Sequence, residues 1–217
     1  MNVYFISGLA ANCDIFRHIQ LPAGYESRYL DWIPPHKNES LPHYAMRLAE
    51  KIDRNEPFAL IGLSFGGMLA VEIAKRYPPA YTILLASIPS SKQLPRYYKM
   101  AGKLRLHKVV PASLANNPAI ARLFFSAKTE TEKRLIKEVV NEIDMGFIRW
   151  GMDAILKWKN TETPAPLWHI HGTKDNILPI RYVKPSHTIP GAGHLFVSSN
   201  AEKISHLLSE ILLPASA

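Results

Sequence analysis

One serine sits in a run of small residues, Gly62-Leu63-Ser64-Phe65-Gly66-Gly67, where the apolar stretch Phe58-Ala59-Leu60-Ile61 gives way to a helical pattern. A sharp strand-to-helix turn at that point lifts a hydroxyl above a sheet, and the small residues let the two backbones approach. The amide after the serine then lies at a helix N-terminus, where N–H groups lack partners and favour negative charge. A serine hydroxyl is a poor nucleophile near neutral pH and needs a base. Among nine histidines, His194 stands apart in Gly191-Ala192-Gly193-His194-Leu195, just ahead of the last helical stretch. A base of this kind needs an orienting carboxylate, and Asp175 closes His171-Gly172-Thr173-Lys174-Asp175, directly after another apolar run. Taken singly, these are a glycine-rich turn, a surface histidine and a turn aspartate. Together, at strand ends and in the chain order Ser, Asp, His, they fit a nucleophile, an orienting acid and a base.

The elements that must carry them read as alternating strands and helices. Stretches at 3–7, 25–32, 58–63, 81–86, 167–171 and 186–190 read as strands, the third an unbroken apolar run and the last one short. A short helix is expected at 13–19. A longer one runs from an N-cap at Ser40 to about 54, with Leu41, Tyr44, Ala45, Leu48 and Ile52 on one face. Helices follow at 66–77, stopped by Pro78-Pro79, and at 201–213, with Ile204, Leu207, Leu208, Ile211 and Leu212 spaced for burial. This alternation implies a mostly parallel sheet of about six strands with helices on both faces. From 90 to 160 the rhythm breaks; helical stretches near 95–106, 117–127, 130–144 and 146–158 predict a helical cap inserted into a single domain spanning 1–217.

With these pieces in place the chain resembles an α/β-hydrolase over nearly its whole length. Ser7-Gly8-Leu9 resembles the oxyanion loop, 62–67 the nucleophile elbow, 167–179 the acid loop and 191–194 the histidine loop. The resemblance implies a catalytic triad of Ser64, Asp175 and His194, and an oxyanion hole from the amides of Leu9 and Phe65. The sequence departs from the family at Ser7, where a histidine usually precedes the glycine, and it lacks the N-terminal two-strand hairpin. Serine at position 64 excludes the dehalogenase and epoxide-hydrolase branches, which use aspartate. The run Gly8-Leu9-Ala10-Ala11-Asn12 is similar to the loop of the methyl esterase that acts on carrier-bound pimeloyl chains.

Composition narrows the class further. The chain has 217 residues, 47% hydrophobic and 20% charged, which suits one globular domain and argues against disorder or a coiled coil. No apolar run approaches the ~20 residues of a membrane span. The first residues read as a strand, not a signal peptide, and a single cysteine, Cys13, fits a cytoplasmic location and a packed, unreactive thiol. The net charge of +8 is concentrated: residues 90–160 hold 14 Lys and Arg against 6 Asp and Glu. Arg96, Lys99, Lys103, Arg105, Lys108, Arg122, Lys128, Lys133, Arg134 and Lys137 form either a solvated face or a docking surface for an acidic acyl carrier. This local bias is unlike the broad basic field of a nucleic-acid binder. Within the same segment Tyr97, Tyr98, Leu104, Phe124, Phe125, Phe147, Trp150, Ile155, Leu156 and Trp158 are expected to pack a lid onto the sheet, a few of them lining an apolar pocket. His169 and His171 could share a metal, but no carboxylate cluster accompanies them. Asp14 and Asp31 are expected to cap a helix and a turn.

The expected activity is hydrolysis of a carboxylic ester or thioester, on a small acyl substrate either free or carrier-bound, with no metal or organic cofactor. The alternatives are a C–C hydrolase, lyase or acyltransferase on the same scaffold, since fold does not fix chemistry, or a non-catalytic binding protein.

Overall fold

The computed structural model describes residues 1–9, 11–103, 130 and 144–213. Six strands, β1 (Asn2–Ile6), β2 (Glu26–Tyr29), β3 (Phe58–Leu63), β4 (Tyr81–Leu85), β5 (Leu167–Gly172) and β6 (His187–Ile189), form one sheet in the order β2-β1-β3-β4-β5-β6. Every neighbouring pair is parallel. This is the arrangement that alternating strand and helix patterns predict. β3 lies at the centre and is buried at all its residues, which is why it reads as an unbroken apolar run; β2, at the edge, is exposed throughout.

The strands divide their side chains between two cores. Tyr4 and Ile6 of β1 join Leu60 and Leu84 beneath helices α1 (Leu41–Ala49) and α2 (Phe65–Arg76). Val3 and Phe5 point the other way, with Ile61, Ile83 and Ile170. They pack on a 3₁₀ turn at Cys13–Phe16 and on the helices α5 (Phe196–Ser199) and α6 (Ala201–Leu212). The period of two along each strand thus produces a three-layer molecule.

α1 starts as its sequence predicts: Ser40 Oγ accepts the His43 N–H and a proline occupies the first turn. It ends at Ala49 and not near 54. The amides of Glu50, Lys51 and Ile52 donate three residues back, to Arg47, Leu48 and Ala49, so the chain tightens out of the helix. Ile52 still reaches the core. The helix expected at 13–19 is the 3₁₀ turn alone, capped by Asn12, whose side chain accepts the Asp14 N–H; Asp14 lies inside the turn and is not its cap.

Between β4 and β5 the described residues include a 3₁₀ turn at Ser91–Gln93 and the helices α3 (Arg96–Lys103) and α4 (Met145–Lys157). The stretch 117–127, almost all of 130–144, and Leu104, Arg105, Lys108, Arg122, Phe124, Phe125, Lys128, Lys133, Arg134 and Lys137 lie outside the described residues. Two buried polar clasps hold this segment, one to α2 and one between its own two ends. The Trp158 indole donates to Glu72 Oε1 of α2 at 2.7 Å, and Asn160 Nδ2 donates to the Pro89 carbonyl at 2.9 Å.

Candidate active site

The chain runs outward from β1 to β2, then returns to place β3 on the other side of β1. In a doubly wound sheet, the crevice at the carboxyl ends of strands where this reversal occurs is where ligands bind. Ile6 is paired with Gly62, so the loops leaving β1 and β3 emerge side by side. The first carries Ser7-Gly8-Leu9 and the second carries Ser64.

Ser64 stands between β3 and α2 with φ 51° and ψ −114°, a conformation L-residues rarely adopt. Such strain costs of order 1–3 kcal/mol and persists only when its surroundings enforce it. Here they do. The Ser64 N–H donates to the Leu85 carbonyl at 2.9 Å, and the Ser64 carbonyl accepts Ser87 Oγ at 2.6 Å and the Gly67 amide at 3.0 Å. A Cβ on Gly62 would sit 2.5 Å from the Gly66 oxygen and Gly67 nitrogen, and one on Gly66 would strike the carbonyls of Ile6 and Ser7. The small residues of the motif are therefore required by backbone contact.

His194 and Asp175 are brought to the same point from β5 and β6. Three hydrogen bonds tie their loops together: Thr173 N–H to Ile189 O at 3.1 Å, Lys174 N–H to Ala192 O at 2.9 Å, and Gly191 N–H to Thr173 Oγ1 at 2.8 Å. His194 Nε2 lies 2.9 Å from Ser64 Oγ, and His194 Nδ1 lies 2.7 Å from Asp175 Oδ2. Since the carboxylate only accepts, Nδ1 carries the proton and Nε2 is free to accept from the serine. Asp175 Oδ1 takes the amides of Ile177 and Leu178, each at 2.8 Å. Burial of Asp175 opposes ionisation. The His194 ring, with its hydrogen bond, His171 and the Leu178 amide outweigh that burial, and the carboxyl is held below its ordinary range.

The loop after β1 replaces the missing histidine with a different closure. Ser7 is buried, and its hydroxyl donates to the Ala11 carbonyl at 2.9 Å; the Ala11 amide donates to Gly8 O at 3.0 Å, and Trp32 Nε1 also donates to Ala11 O, at 2.8 Å. α4 lies over this loop. Gly151 is pressed against the Leu9 side chain, whose Cδ1 lies where a Cβ on Gly151 would reach. Trp150 meets the ring of Phe65, the neighbour of Ser64, at 5.9 Å, and Phe147 meets Trp32 at 5.1 Å. The Trp150 indole also donates to the Glu39 carbonyl at 2.9 Å. Of the expected lid residues, Tyr98, Phe147, Trp150, Ile155 and Leu156 are half-buried against the core and Trp158 is fully within it, whereas Tyr97 is exposed.

Other singled-out residues find different settings. Burial and the nearby Asp31, which accepts a hydrogen bond from the thiol, push Cys13 up to about 12, which leaves it protonated and inert near neutral pH. Asp31 thus faces Cys13 instead of capping a turn. His169 and His171 are buried and bonded to each other, Nε2 to Nδ1 at 3.0 Å. His171 Nε2 lies 3.3 Å from Asp175 Oδ2, a neighbour the sequence reading did not give it; the clue was its position four residues before Asp175 at the end of the same strand. A second unforeseen group is His36, Glu39 and His43, whose ligand atoms lie within 4.8 Å of one another. The Glu39 carboxylate is already engaged by Arg47 Nη1, at 2.9 and 3.1 Å, and by His43, so it works as the neutralised end of an ion pair.

The sequence profile described as "Alpha/beta hydrolase family" matches residues 4–206, and the chain belongs to that family. It is therefore a hydrolase-type enzyme, built on a parallel six-stranded sheet. No curated protein matches the chain in sequence. Among solved structures, a putative non-heme bromoperoxidase, BpoC, from Mycobacterium tuberculosis aligns over 100% of this chain and 93% of its own, at 18% identity and TM-score 0.72. A thermophilic esterase from Thermogutta terrifontis, solved with malate bound, aligns over 98% and 89%, at 17% identity and TM-score 0.68. A lipase-esterase related protein from Clostridium acetobutylicum aligns over 95% and 92%, at 14% identity and TM-score 0.72. At these identities the likeness is one of fold. No helix among the described residues is long and apolar enough to cross a membrane.

Proposed function

We propose that the protein is a serine hydrolase that cleaves a carboxylic ester or thioester through Ser64, His194 and Asp175. The observation that carries this is the unbroken line of contacts from Ser64 Oγ through His194, at 2.9 and 2.7 Å, to a buried carboxylate. Ser64 Oγ attacks the acyl carbon as His194 Nε2 takes its proton. The carbonyl π electrons move to oxygen, and the collapsing intermediate expels the alcohol or thiol, which receives that proton. Water, deprotonated by the same imidazole, then attacks the acyl-enzyme and releases the acid and Ser64. Asp175 keeps Nδ1 protonated and stabilises the imidazolium. The amides of Leu9 and Phe65 are the proposed oxyanion donors; Phe65 opens α2, where amides lack helical partners.

The acyl chain has a natural place in the aromatic ground around Phe65, Trp32, Phe147 and Trp150, and this favours an apolar acyl group. Residues 90–160 act in this reading as a cap within a single domain. Sheet-end sites of this kind host several chemistries, and the esterases among the similar structures support ester cleavage over the others.

The test is a panel of acyl esters and thioesters of graded chain length, with Ser64→Ala as the comparison. The variant should fold as the parent does and lose at least ~10³-fold in kcat, together with labelling by a fluorophosphonate. Retention of more than a few per cent of turnover would place the nucleophile elsewhere.

A further inference from the structure

Behind the acid lies a buried histidine pair that the reaction above does not use. His171 is fully buried and His169 nearly so. His171 Nε2 faces two acceptors, the Leu178 carbonyl at 2.7 Å and Asp175 Oδ2 at 3.3 Å. Neither can donate, so Nε2 must carry a hydrogen. The same Leu178 donates its amide to Asp175 Oδ1 at 2.8 Å. His171 therefore grips both the carboxylate and the turn that holds it. His171 Nδ1, left as an acceptor in the neutral ring, meets His169 Nε2 at 3.0 Å.

We propose that His171 is the positioning residue of the acid: it donates to Leu178 O and to the oxygen of Asp175 that holds His194, and His169 behind it fixes the tautomer that makes it a donor. This rests on the triad reading of Ser64, His194 and Asp175.

A proton count supports it. The Ser87 backbone beside His169 favours a protonated ring. The chain from Ser87 through both rings to Leu178 and Asp175 therefore ends on acceptors at both sides. Three such bonds need three protons, and two neutral imidazoles supply two. Completing the chain would leave a positive charge beside Asp175; staying neutral leaves the Ser87 contact unmade. Burial decides for the neutral pair, lowering His171 and taking His169 down to about 3. The charged and titratable groups facing the pair are Asp175, which favours protonation, and His194, which opposes it; from α3, Tyr97 and Tyr98 feel the Asp175 charge. A neutral His171 supplies a hydrogen to the acid without cancelling its charge. That leaves the full carboxylate to stabilise the His194 imidazolium.

The experiment compares His171→Leu, which keeps bulk and removes the donor, with His171→Gln, whose amide can donate from the same place. On whichever ester the parent cleaves, Leu should lower kcat about tenfold with KM unchanged, and Gln should recover most of it. Equal loss in both folded variants, or no loss in Leu, would overturn the proposal. Two readouts need no turnover, so they survive even if the ester assignment fails, and the first needs no variant either. Nitrogen-15 spectra of the parent should show His171 as the neutral Nε2–H tautomer still at pH 6.5, where an ordinary histidine is half protonated. The low-field Nδ1–H resonance of His194 should be present in the parent and in Gln, and broadened or lost in Leu. A charged His171 or an Nδ1–H tautomer in the parent refutes the proposal even if neither variant folds. Loss of turnover in the parent with the tautomer as stated would count against the ester reading alone.

Discussion

The two halves of the candidate active site are held by different forces. Ser64 is held by shape: a strained backbone pinned between β3, α2 and the loop after β1, with glycines where any Cβ would meet main chain. Asp175 and His194 are held by polarity: buried groups whose positions follow from hydrogen bonds to Ile177, Leu178, His171 and one another. A steric device has no graded failure, because backbone cannot move aside. A polar device can be weakened one donor at a time and carries a pH dependence that the first lacks. The sharpest break in this comparison is Gly66→Ala. Its methyl group lands on the carbonyls of Ile6 and Ser7, and relief requires separating α2 from β1. A loss of about 3 kcal/mol or more is expected, a fall in Tm of about 10 °C for a domain of this size, or no soluble protein at all. Gly8→Ala is the control: a Cβ there meets nothing closer than Ser64 Cβ at 3.5 Å, so thermal stability should hold. Equal melting temperatures for the two variants would show that the elbow is not sterically locked.

The polar half should fail through acid. His169 titrates near 6.5 when unfolded but is held down to about 3 in the fold, by burial first and by the neighbouring His171. Between these values the unfolded chain binds a proton that the folded one refuses. Stability is therefore full above about pH 6.5 and falls as pH drops toward 3. His169→Gln keeps a donor for His171 Nδ1 and removes the titration. Its stability at neutral pH should stay within about 1 kcal/mol of the parent. Its loss of stability on acidification should be shallower by up to about 1.4 kcal/mol per pH unit. Denaturant melts from pH 7 to pH 4 measure this, and parallel curves would show that His169 does not govern the acid limb.

This difference also explains what could be read from the sequence. The steric half was legible because glycines at fixed offsets around a serine have few other uses, and because β3 is apolar along its whole length. The parallel sheet of six strands followed from alternation, and α1 and α6 bury the faces their periodicity marks. The polar half was legible only in part. Asp175 and His194 betray themselves through strand ends and glycine neighbours, but His171 and His169 do not, since i, i+2 spacing looks the same whether the rings meet a metal, solvent or each other. Their partner Asp175 becomes visible only when the turn 175–178 folds back over the strand. In the same way Asn12, not Asp14, caps its turn, because both are good caps and tertiary placement chose between them. Trp150 showed its apolar character but not its indole bond to Glu39 O, which lies 111 positions away.

The smallest expected effect concerns the charge that sets residues 90–160 apart. Of its described members, Arg96 and Lys99 are exposed on α3, beside the exposed Tyr97 and Met100. α3 packs on α4, which roofs the loop carrying Leu9, so these charges stand near the approach to Ser64. Positive charge in that position would speed encounter with an anionic acyl donor, and salt would screen the effect over about 8–10 Å. It does not alter the chemistry at Ser64. Arg96→Glu with Lys99→Glu should therefore lower kcat/KM several-fold on an anionic donor at low ionic strength, by much less at high ionic strength, and leave kcat on a matched neutral ester unchanged. The measurement is the ratio of kcat/KM for charged and neutral donors of equal chain length, taken at both salt concentrations. A ratio indifferent to salt, or a double variant that behaves as the parent does, would reduce the basic surface to a solubilising one and leave the aromatic ground around Phe65 as the source of substrate preference.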